Sequence, residues 1–309
     1  MIVRRPEEHM AQEKKIIHIG QIGCGTVGSG VISILRDNAE VISRRTGCEI
    51  RLKSVAVKDL ADPRYVEVPE SMLTTDAAAV LRDPEVDIVV EVMGGVEPAR
   101  AFILEALAAG KHVVCANKEL MSTHGGEILE AAEEAGVDVA YEASVGGGIP
   151  ILLPLKQSLA GNRIEQILGI VNGTTNYALT RMSEEGLSFD QAISRAQSLG
   201  YAEADPSADV QGKDAAAKLA ILASMAFNSR VTLDDVYTEG IEGITPDDIA
   251  FGGDMGYVIK LLAVAKNEAE GISVRVHPTM RPPVSMLRAM EMMSPTTALA
   301  AGSEPAPLP

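Results

Sequence analysis

The sequence predicts an α/β protein: a doubly wound parallel sheet followed by a second domain of α+β build. Three observations carry this. Apolar strands alternate with amphipathic helices from residue 16 to residue 140, a glycine-rich turn joins the first strand to the first helix, and the rhythm changes after Glu142. Strands that alternate with helices imply parallel pairing with helices on both faces. A chain of 309 residues exceeds a usual domain of roughly 100–200 residues, so two domains are expected.

In order, residues 16–22 form an apolar run that reads as a buried strand. Val27, Val31, Ile34, Leu35 and Ile42 then fall near helical spacing over residues 26–43. Strands at 51–57, 87–92, 112–115 and 137–140 interleave with helices at 76–81, 98–109 and 122–135. The turn Gly146-Gly147-Gly148-Ile149-Pro150 leads into a longer helix, a strand at 164–171 and three helical stretches as far as Phe227. Strands at 258–265 and 273–276 precede a tail with Pro282-Pro283, four methionines and a Gly, Ser and Pro-rich end that cannot hold a packed element. The expected division is a flexible tail 1–15, a dinucleotide-binding domain 16–141, a second domain 142–280 and an atypical, disordered tail 281–309.

Composition narrows the function. A formal charge of −16 repels phosphate backbones, and no segment concentrates Lys and Arg with aromatics, so no nucleic-acid partner is expected. Cys24, Cys48 and Cys115 lie far apart without a CxxC spacing, which fits a reducing compartment and gives neither a disulfide framework nor a zinc site. The first fifteen residues mix Arg4, Arg5, Glu7, Glu8, Lys14 and Lys15 without an apolar core, unlike a signal peptide. No run of about 20 apolar residues is present to span a bilayer. The cytoplasm is the expected location, with no membrane partner.

Gly23-Cys24-Gly25-Thr26-Val27-Gly28 is a G-x-G-x-x-G motif between a strand and a helix. Gly23 permits the tight turn, Gly25 lets a pyrophosphate approach the backbone, and Gly28 allows close packing of helix on strand. The helix N-terminus offers free N–H groups and the positive end of its dipole. The motif alone is weak; its strand–turn–helix context makes this a Rossmann-type phosphate loop. After the second strand stands Lys58-Asp59, where an acidic residue would take the ribose 2′-hydroxyl of NAD and a lysine the 2′-phosphate of NADP. The pair leans to NADP, against the bland reading of Lys58 as a solvated charge.

Taking a hydride from an alcohol carbon requires a base for the hydroxyl proton, and the reverse requires an acid. Lys118 follows the strand 112–115, at the carboxyl end of a parallel strand where open α/β sheets bind ligands. Lys218 lies four residues after Asp214 on a helix, which by itself is an ion pair worth a few tenths of a kcal/mol. Glu203, Asp205, Asp209 and Asp214 fall within twelve residues, a density that suits a substrate carrying an ammonium group. Their spacing does not match a calcium loop, and Pro206 interrupts it.

The run from Ala196 through Gly200-Tyr201-Ala202-Glu203-Ala204-Asp205-Pro206, Asp209 and Gly212 to Asp214 and Lys218 resembles the homoserine dehydrogenase signature along its length. Residues 23–30, Val90-Glu91-Val92-Met93-Gly94-Gly95 through Ala116-Asn117-Lys118-Glu119, and Asn172-Gly173-Thr174-Thr175-Asn176-Tyr177 are similar to that family in order and spacing. The likeness covers residues 16–280.

That resemblance implies an NADP- or NAD-dependent interconversion of L-homoserine and L-aspartate 4-semialdehyde, on the route to threonine and methionine. It makes Lys218 the proton donor and acceptor, with Lys118 sharing the role at the nicotinamide end. Asp214 and Glu203 would hold the substrate, Gly173 and Thr174 would line its pocket, and Gly200 would touch the cofactor. The loop 142–149 is similar to the family's sodium loop, with Glu142, Val145, Gly147 and Ile149 as ligands. The second domain becomes a catalytic and dimerisation domain, and the assembly a homodimer. The chain is expected to lack the family's C-terminal regulatory domain and the usual end of its catalytic region.

Two other readings stand beside this one. A phosphorylating semialdehyde dehydrogenase would need a nucleophilic cysteine with a histidine partner, for which Cys115 on a strand and Cys24 in the phosphate loop are ill placed. A truncated, non-catalytic nucleotide-binding or subunit-binding remnant of the same family would show no turnover with homoserine and NADP.

Overall fold

A computed structural model describes residues 15–282 and the backbone of residues 298–302. The chain divides into two units, residues 1–117 with 127–140 and residues 118–126 with 141–309.

The first unit contains β1 (Lys15–Ile22), α1 (Thr26–Asp37), α2 (Ala39–Thr46), β2 (Cys48–Ala56), β3 (Leu73–Thr74), α3 (Ala77–Arg82), β4 (Ile88–Glu91), α4 (Ala99–Ala108) and β5 (His112–Cys115). Helix α5 (Lys118–Ala135) and β6 (Val139–Ala140) complete it, with the first nine residues of α5 counted in the second unit. The strand order is β3-β2-β1-β4-β5-β6, with every pair parallel. The expected α/β class and doubly wound parallel sheet are therefore present. The order reverses direction at β1, and such a switch point opens a crevice at the carboxyl ends of the strands.

Local departures from the expected elements have local causes. The single helix expected over 26–43 is broken at Asn38, whose φ of −110° and ψ of 14° are not helical. Asn competes for backbone hydrogen bonds and favours such breaks. Helix α5 begins at Lys118 instead of Ser122, because Lys118, Glu119, Leu120 and Met121 are all strong helix formers.

The second unit contains β7 (Gln166–Ile170), α6 (Gly173–Glu185), α7 (Phe189–Ser198), α8 (Ser207–Val210), α9 (Lys213–Phe227), β8 (Tyr237–Thr238), α10 (Pro246–Asp254), β9 (Val258–Glu268), β10 (Gly271–Arg281) and β11 (Ala298–Gly302). Its sheet has the order β11-β7-β9-β10-β8. The helix expected after the glycine turn is reduced to a wide-pitched turn at Pro154–Ser158. Strand β10 is longer than expected because it pairs in unbroken antiparallel register with β9, from Gly271 opposite Glu268 to Arg281 opposite Val258. The tail was expected to hold no packed element, yet residues 298–302 pair antiparallel with β7. An edge strand's free backbone groups accept such a segment whatever its side chains. Arg281 ends β10 and Lys15 opens β1, while residues 283–297 and 303–309 of that tail and residues 1–14 of the expected flexible tail 1–15 lie outside the described residues.

The core of the second unit forms on α9, where Ala215, Ala216, Ala217, Leu219, Ala220, Ile221, Leu222 and Ala223 are buried. A helix apolar on nearly all sides is one enclosed on all sides. Its two charged residues on the buried stretch, Asp214 and Lys218, therefore need partners.

Candidate active site

In the first unit the loop between β1 and α1 has the shape its glycines allow. Gly23 sits at φ +101°, and a Cβ there would lie 2.7 Å from the Val92 carbonyl oxygen. At Gly28 a Cβ would lie 2.5 Å from the Gly23 oxygen, whereas at Gly25 it would meet nothing within 4 Å. The first and third glycines are thus closed by backbone, and the second faces open space. Gly25 is the N-cap of α1 and no side chain caps that end, so first-turn N–H groups near Thr26 and Val27 lack a side-chain acceptor. This is the donor set a pyrophosphate needs.

The sequence reading missed Gln21. Fully buried at the end of β1, its Nε2 donates to the Gly23 oxygen at 2.8 Å and the Gly28 oxygen at 3.1 Å, tying both ends of the loop together. Nothing local signals this, since a glutamine within an apolar strand gains meaning only from the loop folded over it.

Beyond β2, Lys58 is exposed. Asp59 Oδ1 accepts the Ala61 N–H at 2.8 Å, and Arg64 donates to the Asp59 and Leu60 carbonyls at 3.1 and 2.9 Å. Asp59 is thus engaged in a turn. At the end of β4, Glu91 accepts the Met93 N–H at 2.9 Å and the Cys115 thiol at 3.2 Å. Burial, then the Glu91 charge, pushes the Cys115 thiol far above its ordinary range. A thiol held protonated is a poor nucleophile.

The second unit brings together Lys118, Lys218 and Asp214, which are far apart in sequence. Asp214, on the first turn of α9, is 5% exposed. Its Oδ1 meets Lys118 Nζ at 2.8 Å, and its Oδ2 accepts Lys218 Nζ at 2.6 Å and Asn172 Nδ2 at 2.8 Å. Lys218 also donates to the Val171 carbonyl at 2.9 Å. Burial would raise the Asp214 pKa, but the two lysines outweigh it and hold the carboxyl below its ordinary value. Burial would likewise lower Lys118, and Asp214, with Asp209 and Glu119 behind it, holds that ammonium above the usual lysine value. Two lysine Nζ atoms thus share one buried carboxylate.

Gly173 and Thr174 open α6, and Thr174 Oγ1 donates to the Tyr201 carbonyl at 2.8 Å. Gly200 adopts φ +76° after α7. Glu203 is exposed, and its backbone carbonyl accepts Gln197 Nε2 at 3.1 Å. Asp205 is engaged by Ser207, and Asp209 by Asn172.

The Glu142 carboxylate accepts the N–H groups of Ile151, Leu152 and Leu153 at 2.5, 2.9 and 2.7 Å, capping the turn that starts there. Three backbone N–H groups thus hold the Glu142 carboxylate at the start of that turn. Gly146 and Gly147 adopt φ of 76° and 57°, left-handed conformations that glycine adopts without strain. Backbone oxygens suit a hard monovalent cation. No group of three or more His, Cys, Asp or Glu side chains able to hold a metal occurs among the described residues.

Fold and site define an α/β protein with a dinucleotide-type phosphate loop in one unit and a buried aspartate bearing two lysines in the other. Residues 23–142 match the model of the homoserine dehydrogenase NAD-binding domain, and residues 150–301 that of homoserine dehydrogenase. The match reaches residue 301, beyond the expected limit of 280. The chain is 53% identical over 268 residues to homoserine dehydrogenase of Synechocystis sp., covering 85% of this chain and 61% of that protein. It is 47% identical to that of Bacillus subtilis, covering 87% and 62%. A crystal structure of a homoserine dehydrogenase from Thiobacillus denitrificans superposes with a TM-score of 0.84 at 44% identity, covering 94% of this chain and 70% of that one. The chain belongs to the homoserine dehydrogenase family. It spans about three fifths of the length of the curated relatives named.

Proposed function

We propose that the protein interconverts L-homoserine and L-aspartate 4-semialdehyde with a nicotinamide cofactor, on the route to threonine and methionine. The observation that carries this is the Lys118–Asp214–Lys218 cluster, within a chain of this family. A bound nicotinamide supplies the hydride acceptor, or the donor in reverse. The protein's own residues handle the proton. In oxidation a deprotonated lysine of the pair takes the homoserine hydroxyl proton; in reduction the ammonium returns a proton to the aldehyde oxygen. Asp214 keeps both Nζ atoms on one carboxylate. Glu203 receives the substrate ammonium, while Gly173 and Thr174 line the pocket at the start of α6.

Gly23, Gly25, Thr26, Val27 and Gly28 hold the pyrophosphate, with Gly200 and Lys118 as further cofactor contacts. Lys58 selects NADP, a reading supported by the engagement of Asp59 in its turn. Glu142 and the carbonyls of Val145, Gly147 and Ile149 take a sodium ion. The protein acts as a cytoplasmic homodimer joined through the sheet of the second unit. Its three free cysteines suit that compartment, and no described helix is long and apolar enough to cross a membrane.

The test is an absorbance assay of the reduced nicotinamide with homoserine and either NADP or NAD. Lys218→Ala and Lys118→Ala should each lower kcat by at least about a hundredfold while cofactor binding persists, since acid–base catalysis contributes roughly 10²–10⁴. Activity within a few fold of the parent in both variants would remove the lysines from the mechanism. No turnover by the parent would favour a non-catalytic remnant.

A further inference from the structure

We propose that Asn172 is a positioning residue for proton transfer, holding Asp214 in the orientation that presents both lysines. The proposal rests on the dehydrogenase reading above.

Asn172 lies between β7 and α6 and is 4% exposed. Its two amide donors divide between Asp209 Oδ1 at 2.7 Å and Asp214 Oδ2 at 2.8 Å. Its carbonyl oxygen accepts the Thr175 N–H at 2.9 Å and the Thr175 hydroxyl at 2.9 Å. All four hydrogen-bonding positions of the side chain are filled, so the amide cannot flip without breaking them. A carboxylate carrying two ammonium groups can rotate about χ2 and exchange them. Asn172 opposes that rotation by adding a second donor to the oxygen that holds Lys218.

The amide also keeps two acidic side chains close. Lys118 from α5 and Lys218 from α9 are the charged groups facing Asp214, and Asp209 from α8 and Glu119 from α5 act on Lys118 beside it. With its two donors shared between Asp209 and Asp214, the amide holds the two side chains beside each other. Because Asn172 caps α6 as well, one side chain fixes the lysine pair and the helix start at Gly173 and Thr174.

Asn172→Asp and Asn172→Ser separate these roles. Both replacements are good N-caps, so α6 keeps its start, but neither can donate to Asp209 and Asp214 together. In the full chain labelled with ¹³C-carboxyl aspartate, NMR titration follows Asp214, identified by its loss in Asp214→Asn. The Asp214 midpoint should rise by about one unit in both variants, and kcat for homoserine should fall about ten- to a hundredfold, the range of one lost charge-assisted hydrogen bond. KM for the cofactor should change less than twofold.

An unchanged Asp214 midpoint in Asn172→Ser, with kcat within twofold of the parent, overturns the proposal. Should Asn172→Asp fail to fold because three carboxylates crowd together, Asn172→Ser decides alone. Absence of homoserine oxidation in the parent would count against the dehydrogenase reading, and the titration comparison would then decide the role of Asn172.

Discussion

A buried carboxylate loses its water and must be given donors in return, and Asp214 receives three. An exposed i,i+4 pair is worth a few tenths of a kcal/mol. Removing one partner from a buried charge cluster costs about 3 kcal/mol. Asp214→Asn should therefore lower stability by about that amount at pH 7, as measured by urea unfolding. The Asp214 pKa is held below its ordinary 3.8, so its contribution is present above that value and is lost as pH falls through the lower folded value. The difference between parent and Asp214→Asn should vanish in strong acid. A difference constant down to pH 2 would show that the carboxylate's charge is not its source.

Lys118 makes the complementary prediction for rate. Because it is held above the ordinary 10.5, it is an acid at neutral pH and becomes a base only on losing that proton. Homoserine oxidation should climb from pH 7 to pH 10 without a plateau, while semialdehyde reduction should stay nearly flat. A plateau of oxidation near neutrality would point to another base.

At the scale of elements, the phosphate loop shows how much a strand, a turn and a helix depend on one another. Gly28→Ala puts a Cβ 2.5 Å from the Gly23 oxygen, a contact backbone cannot relieve without opening the loop. Cofactor affinity should fall at least tenfold with the second unit's folding intact. Gln21→Ala should act more mildly, costing about 1–3 kcal/mol of stability as the Gly23 and Gly28 oxygens lose its amide. Fluorescence titration with the reduced cofactor and thermal unfolding distinguish the two. Equal affinity in Gly28→Ala and the parent would mean that the loop is not a pyrophosphate site.

The same loop was legible in the sequence because its first and third glycines answer close backbone contacts and its second leaves space for a ligand. Gln21 was not, because its role exists only once Gly23 and Gly28 are folded over it. The break at Asn38 and the two-residue strand β3 were also missed. Periodicity runs across a single non-helical residue, and two residues carry no period at all.

For the molecule as a whole, a charge of −16 produces self-repulsion that salt screens. Adding about 0.15 M choline chloride should raise Tm modestly, and an equal concentration of sodium chloride should raise it further if the carbonyls of Val145, Gly147 and Ile149 bind the ion. Glu142→Gln should weaken the capped turn in both salts. Identical responses to the two cations would remove the sodium site.

Much of the protein was determined by sequence acting alone. The alternation of strands and helices specified the parallel sheet, since each period of 2 or 3.6 residues shows which face is buried. The glycine spacing specified the phosphate loop, and the run from Gly200 to Lys218 carried the family likeness. Tertiary structure decided which charges meet. Lys118 and Asp214 are separated by nearly a hundred residues, and the ammonium–carboxylate contact at 2.8 Å arises only when α5 and α9 share one unit. It also decided that Glu142 caps a turn, that Asp59 serves a loop and that Asn172 bridges two aspartates. A carboxylate's partner is set by the nearest donors in space, and spacing along the chain reports those only within a turn or two of helix.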